Sequence, residues 1–127
     1  MVPNFHPGDY LVATRGQPRR GDAVVFLDPG RGIYLLKRAI GLEGERIEIR
    51  EGSVHVDGSR LDEHWGGSFT PGKGEWFVGP GTVFVLSDAR GATDADSRTL
   101  GPIPTAGMWR VVMRYRRGPR SRRMPSV

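Results

Sequence analysis

Cysteine is absent from the 127-residue chain, which excludes a disulfide framework and every thiolate metal site while leaving the redox compartment open. The three histidines, His6, His55 and His64, do not follow zinc-ligand spacing. No run approaches the roughly 18 apolar residues that a membrane-spanning helix requires. Met1-Val2-Pro3-Asn4-Phe5-His6 has no signal-peptide pattern either, so the chain by itself is expected to be soluble. Helical periodicity is missing too, because no segment sets its apolar residues convincingly at 3.6-residue spacing. No metal or cofactor is expected.

What the chain has in quantity is turn chemistry: 19 glycines and 10 prolines against 37% hydrophobic residues. That balance, at a length suited to one domain, suits a turn-rich β domain better than a bundle of long helices. Short apolar or alternating runs bounded by Gly, Pro and Asp predict strands near Asp9–Thr14, Asp22–Leu27, Ile33–Ile40, Arg46–Arg50, Val54–Val56, Thr82–Leu86 and Met108–Tyr115. Ile47, Ile49, Val54 and Val56 alternate with polar residues around Glu51-Gly52, a hairpin with one buried face, and Asp57-Gly58 supplies a second tight turn. Residues 60–81 shift to Gly, Pro, Trp and His and are expected to form an irregular inserted loop or small lobe. The expected organisation is a core over 1–117 with this insertion, followed by a basic disordered tail over 118–127.

The formal charge of +5 is unevenly placed. Arg110, Arg114, Arg116, Arg117, Arg120, Arg122 and Arg123 close the chain, leaving 12 of the 19 cations against all 14 acids in the body. A continuous basic groove is therefore poorly supported, and nucleic acid is not the expected partner. The tail reads either as a solvated terminus or as a patch for anionic headgroups or phosphates.

Lysine is scarce: two residues, Lys37 and Lys73, beside 17 arginines. Lys73 lies in the Gly-rich segment, but Lys37 interrupts the apolar strand Ile33 to Ile40, where burial disfavours its charged form. Desolvation lowers a lysine pKa toward neutrality, which arginine cannot match, so Lys37 is a candidate general base. The bland alternative is a lysine that snorkels at a strand end or pairs with an acid. After the strand Thr82–Leu86, the stretch from Ser87 to Arg98 packs three carboxylates, two arginines and three hydroxyls into twelve residues. Asp88, Asp96 and Arg98 are expected to form an ion-pair network that fixes this loop, leaving a hydroxyl such as Thr93 to orient a neighbouring amine. An ordinary acidic turn is the bland reading. Asp88, Asp94 and Asp96 are the rival metal ligands, yet their spacing does not match the twelve-residue calcium loop.

Taken together, Lys37-Arg38-Ala39-Ile40-Gly41-Leu42-Glu43-Gly44-Glu45 resembles the K-R-x-x-G-x-P-G-D box of type I signal peptidases, and Ser87 to Arg98 resembles their G-D-N-R-x-x-S-x-D-S-R box. Gly8-Asp9-Tyr10-Leu11-Val12 and Gly21-Asp22-Ala23-Val24-Val25-Phe26 resemble the two G-D-x-hydrophobic strand starts, so the likeness runs over roughly residues 1 to 116. The resemblance implies an all-β, signal-peptidase/LexA-like core of several mixed, mostly antiparallel strands, and a serine endopeptidase with a serine–lysine dyad that cleaves signal peptides from exported preproteins at the outer face of the plasma membrane. It implies Lys37 as the general base, Thr93 as the hydroxyl that orients it, and Asp88, Asp96 and Arg98 as structural support. Counting back from Asp96 gives Asp94 instead of Thr93, because the loop is one residue longer than the pattern; Thr93 is preferred because it donates and accepts.

The box S-M-x-P is matched by Met1-Val2-Pro3 in its last three letters, so the resemblance implies a substrate groove at Met1, Val2 and Pro3 and a nucleophilic serine immediately before Met1. The chain as given is expected to be inactive without that serine. By the same likeness, the partners are a preprotein or extended peptide and a membrane surface, reached through a preceding anchor and the basic tail. Departures are Glu43 for proline, Glu45 for aspartate, Ser87 for glycine and Ala89 for asparagine. Two other readings stand beside the peptidase: a catalytically inactive relative that binds extended peptides by strand addition, and a small β-barrel nucleic-acid module using the arginine tail.

Overall fold

A computed structural model describes residues 8–66 and 69–115. The expected groove residues Met1, Val2 and Pro3 and the tail over 118–127 lie outside the described residues. The fold is all-β: β1 (Tyr10–Arg15), β2 (Ala23–Asp28), β3 (Ile33–Gly41), β4 (Arg46–Arg50), β5 (Ser53–Val56), β6 (Ser59–Arg60), β7 (Gly74–Phe77), β8 (Thr82–Leu86), β9 (Ile103–Pro104) and β10 (Trp109–Tyr115), with one helical turn, α1 (Ser97–Leu100). A six-stranded sheet runs β1-β10-β2-β3-β8-β9 and a four-stranded sheet runs β6-β5-β4-β7. Every pairing between described strands is antiparallel.

The uninterrupted apolar run of β8 has a simple cause: both of its faces are covered. Val83 and Val85 pack with Val24, Phe26, Ala39 and Met108 on one side. Phe84 and Leu86 pack with Ile40, Ile47, Ile49, Val54 and Val78 on the other. The β3–β8 ladder is thus the wall shared by two cores, and a solid run replaces the alternation seen in one-sided strands. Phe84, Ile40, Ile47, Ile49 and Leu86 are fully buried, each stabilising the fold by about 1.5–3 kcal/mol through loss of apolar surface from water.

The β4–β5 hairpin follows the alternating pattern, with Ile47 opposite Val56 and Ile49 opposite Val54. Its turn takes left-handed backbone at both central residues, Glu51 at φ 51° and Gly52 at φ 78°, as a two-residue loop matching strand twist requires. The expectation of an irregular 60–81 segment is corrected in part. Gly74–Phe77 forms β7 and pairs with β4, turning Trp76 against the core beside Phe84 at a ring separation of 4.9 Å while Glu75 and Phe77 face outward. Four residues of alternation were too few to stand out among the surrounding glycines.

Candidate active site

The β3–β8 register pairs Arg38 with Leu86, and carried one residue further it sets Lys37 opposite Ser87. There the Lys37 Nζ donates to Ser87 Oγ at 2.9 Å. Both residues are buried, Lys37 at 7% and Ser87 at 2% exposure. Burial pushes the Lys37 amine below its ordinary range; Asp96 and Asp88 oppose the shift and the charges of Arg31 and Arg98 add to it. Lys37 is buried and does not snorkel, and among the described residues it forms no salt bridge and its amine donates to a neutral hydroxyl.

The carboxylates that flank it are claimed by arginines. Asp88 accepts from Arg38 Nε at 3.2 Å and Nη2 at 2.7 Å, a two-pronged pair across the same ladder, while Arg38 Nη1 also donates to the Gly21 carbonyl at 2.9 Å. Asp96, fully buried, accepts from Arg98 Nε at 3.0 Å and Nη2 at 2.8 Å. It also caps α1 by accepting from the Arg98 backbone N–H at 3.0 Å and takes the Ser87 N–H at 2.8 Å. Burial alone would raise the Asp96 carboxyl, but the hydrogen bonds from Arg98 and from the Ser87 N–H outweigh it and hold Asp96 below the usual carboxylate range. Ser97 closes the arrangement, its Oγ accepting the Val85 N–H at 2.8 Å.

Of the expected group of Asp88, Asp96 and Arg98, Asp88 pairs with Arg38 on β3 and Asp96 with Arg98. Thr93 is exposed, its Oγ1 accepting the Ala95 N–H at 3.1 Å and its carbonyl accepting Arg98 Nη2 at 2.6 Å. Asp94, the other residue the long loop offered, is exposed as well. The hydroxyl at the amine is that of Ser87, which sequence reasoning recorded only as a departure from glycine. Counting strand register from Lys37 across to the end of β8 was the available signal.

Sequence reasoning also missed the clamp around Ser87. Arg90 Nε donates to the Ser87 carbonyl at 2.8 Å. Its Nη1 reaches Glu63 Oε2 at 2.6 Å and Thr70 Oγ1 at 3.1 Å, and its Nη2 pairs with Glu63 Oε1. Arg98 Nη1 adds bonds to the carbonyls of Pro71 and Arg90 at 3.3 and 3.2 Å. The 60–81 segment is thereby tied to the loop that holds Ser87. Two departures from the box have partners of their own: Glu45 accepts from Arg20 at 2.7 and 2.8 Å and from the Leu42 N–H at 2.6 Å, and Glu43 accepts the Gly81 N–H at 2.6 Å.

Asp88 and Asp96 face arginines and Asp94 faces solvent, so the three do not converge as metal ligands. Among the described residues no group of three or more His, Asp or Glu side chains is placed to hold a metal ion. No helix among them is long and apolar enough to cross a membrane.

A buried lysine amine hydrogen-bonded to a hydroxyl on an antiparallel β core is a group able to take up a proton. The family described as "Signal peptidase, peptidase S26" matches residues 1–113, and the chain belongs to that family. A signal peptidase I of Bacillus caldolyticus is 32% identical over 80% of this chain and 65% of its own length. A signal peptidase I of Leptolyngbya laminosa is 31% identical over 91% of this chain and 64% of its own. The crystal structure of a signal peptidase I from Enterococcus faecalis superposes with a TM-score of 0.67 at 27% identity, covering 79% of this chain and all of that one. The chain spans somewhat under two thirds of the length of the curated relatives named here.

Proposed function

We propose that this chain is the catalytic core of a serine endopeptidase that removes signal peptides from exported preproteins, with Lys37 as general base. The observation that carries the reading is the Lys37 amine, buried, lowered in pKa and hydrogen-bonded to a hydroxyl instead of a carboxylate. Family membership supports the substrate class. By the same likeness, the active protein works at the extracytoplasmic face of a membrane.

In the proposed reaction, neutral Lys37 takes the proton of a serine hydroxyl as that oxygen bonds to the scissile carbonyl carbon. The resulting ammonium passes the proton to the leaving amine as the C–N bond breaks, leaving an acyl ester on the serine. Water then attacks the ester, Lys37 takes its proton and returns it to the serine oxygen, and the acid product departs. Backbone N–H groups supply the oxyanion stabilisation. Asp88, Asp96, Arg38 and Arg98 serve to hold the two strands and the loop.

The matching nucleophile is a serine directly ahead of Met1-Val2-Pro3, so the test uses the chain carrying a serine at that place. Cleavage of a model preprotein is expected, and Lys37→Ala and Lys37→Arg both abolish it, since neither replacement accepts a proton at pH 7. Retained cleavage in Lys37→Arg removes the base from the account. Peptide binding without cleavage in the serine-carrying chain favours the inactive, peptide-binding relative.

A further inference from the structure

We propose that Ser87 is the positioning residue of Lys37, the hydroxyl that fixes the direction of the amine for proton transfer. The inference rests on the reading of Lys37 as the base.

Three observations carry it. The first is the contact itself, 2.9 Å from Nζ to Oγ between two buried side chains set opposite one another by the β3–β8 register. The second is that Ser87 is held at both of its backbone groups: its N–H by Asp96 at 2.8 Å and its carbonyl by Arg90 at 2.8 Å. Both of those partners are themselves buried and paired, Asp96 with Arg98 and Arg90 with Glu63. A serine at the end of a strand is ordinarily free to rotate and to shift with its loop; this one has a fixed backbone and a single short path to the amine. The third is where the other candidate hydroxyl lies, with exposed Thr93 bonded to the Ala95 N–H.

The chemistry follows from the partner being neutral. A lysine stem carries about 2 kcal/mol of rotamer entropy, and an amine that wanders loses its alignment with the proton it must take. A carboxylate would fix the stem but would favour the ammonium form through its charge. A hydroxyl accepts one N–H of the amine, leaves the lone pair on nitrogen open toward the nucleophile, and brings no charge. Ser87 therefore orients the base without protonating it. The glycine that the family box has at this position supplies no side chain for the purpose, so the loop of this chain, one residue longer and with its Thr93 turned outward, uses a strand-end hydroxyl in its place.

The test compares Ser87→Ala, Ser87→Thr and Thr93→Val in the serine-preceded chain with a model preprotein, alongside Lys37→Arg. Ser87→Ala is expected to lower kcat on the order of 10²-fold with little change in KM, the cost of a misplaced catalytic group. Ser87→Thr, which restores the hydroxyl, is expected to recover most of the rate, and Thr93→Val to lose less than Ser87→Ala. A second readout needs no catalysis: in the chain labelled with ¹³C-lysine, Ser87→Ala shifts the Lys37 Cε resonance and its titration midpoint, and Ser87→Thr returns both toward the parent values. Wild-type kcat in Ser87→Ala with an inactive Lys37→Arg overturns the role of Ser87 alone. A larger loss in Thr93→Val than in Ser87→Ala, or an unmoved Lys37 resonance, overturns it as well. Activity in Lys37→Arg overturns the base and the role of Ser87 with it.

Discussion

Lys37 and Ser87 stand 50 residues apart in sequence and 2.9 Å apart in space, joined across the β3–β8 ladder at the point where its apolar run ends. That cross-strand pair is where the two cores of the fold and the polar loop meet. Its surroundings are dry enough to lower the amine and ordered enough to aim it.

The lowered amine has a consequence for stability with a definite sign. The unfolded chain holds the Lys37 proton up to its ordinary value of 10.5, while the folded chain releases it earlier. Between those two points the unfolded state binds more protons, so the contribution of Lys37 to stability rises with pH. Urea unfolding of the parent and of Lys37→Met from neutral to alkaline pH is expected to show the variant's relative stability greatest at the acid end and shrinking as pH rises. A difference that grows in the other direction contradicts the shift.

Asp96 acts in the opposite range. Its carboxyl is held below the usual value, so its contribution is fully present above the unfolded pKa of about 3.9 and is lost as pH falls toward the folded value. Asp96→Ala leaves Arg98 and the Ser87 N–H without their buried acceptor and is expected to cost about 3–5 kcal/mol. Acid unfolding curves of the variant are expected to lack the loss that the parent shows below that pKa.

The clamp on Ser87 extends to Glu63. Glu63→Gln leaves the Arg90 guanidinium, whose side chain is 1% exposed, without its counter-charge, and an expected cost of about 3–5 kcal/mol follows from breaking a buried pair on one side. Because Arg90 also holds the Ser87 carbonyl, kcat of the serine-preceded chain is expected to fall more than KM changes. A variant that loses stability with unaltered kcat separates the fold role of the clamp from any role in catalysis.

Much of this was legible in the sequence because the strands are short and sharply punctuated. Arg46–Arg50 and Thr82–Leu86 have the bounds their patterns predict, and the hairpin turn at Glu51-Gly52 takes the left-handed backbone that its glycine offers. The Lys37 anomaly was visible as a rare residue inside an apolar run. Loop geometry was not visible. One extra residue between Arg90 and Asp96 left the choice between Thr93 and Asp94 open to counting, and the stretch is held by bonds that local pattern does not encode, from Arg98 to the Thr93 carbonyl and from Thr99 to the Asp94 carbonyl. Long-range pairs such as Glu63 with Arg90 and Asp88 with Arg38 depend on which loops fold together, which local pattern does not encode.

The glycine of the lysine box has a packing reason that yields its own test. A Cβ on Gly41 would lie 2.6 Å from Ile47 Cγ1 and 3.1 Å from Phe84 Cβ, at the β3–β8 register shift between Ala39 and Gly41. Gly41→Ala is expected to destabilise the domain by about 1–3 kcal/mol through overpacking of the core, measured by urea unfolding. Unchanged stability would mean that Ile47 moves aside freely.

The most direct test is the titration of Lys37 itself. The chain has only two lysines, so ¹³C-lysine labelling gives two side-chain resonances, and Lys37→Met assigns them by removing one. A Lys37 Cε midpoint clearly below 10.5, moved by Ser87→Ala, is expected. A midpoint at or above 10.5 means an amine charged throughout the neutral range, and contradicts its use as a base.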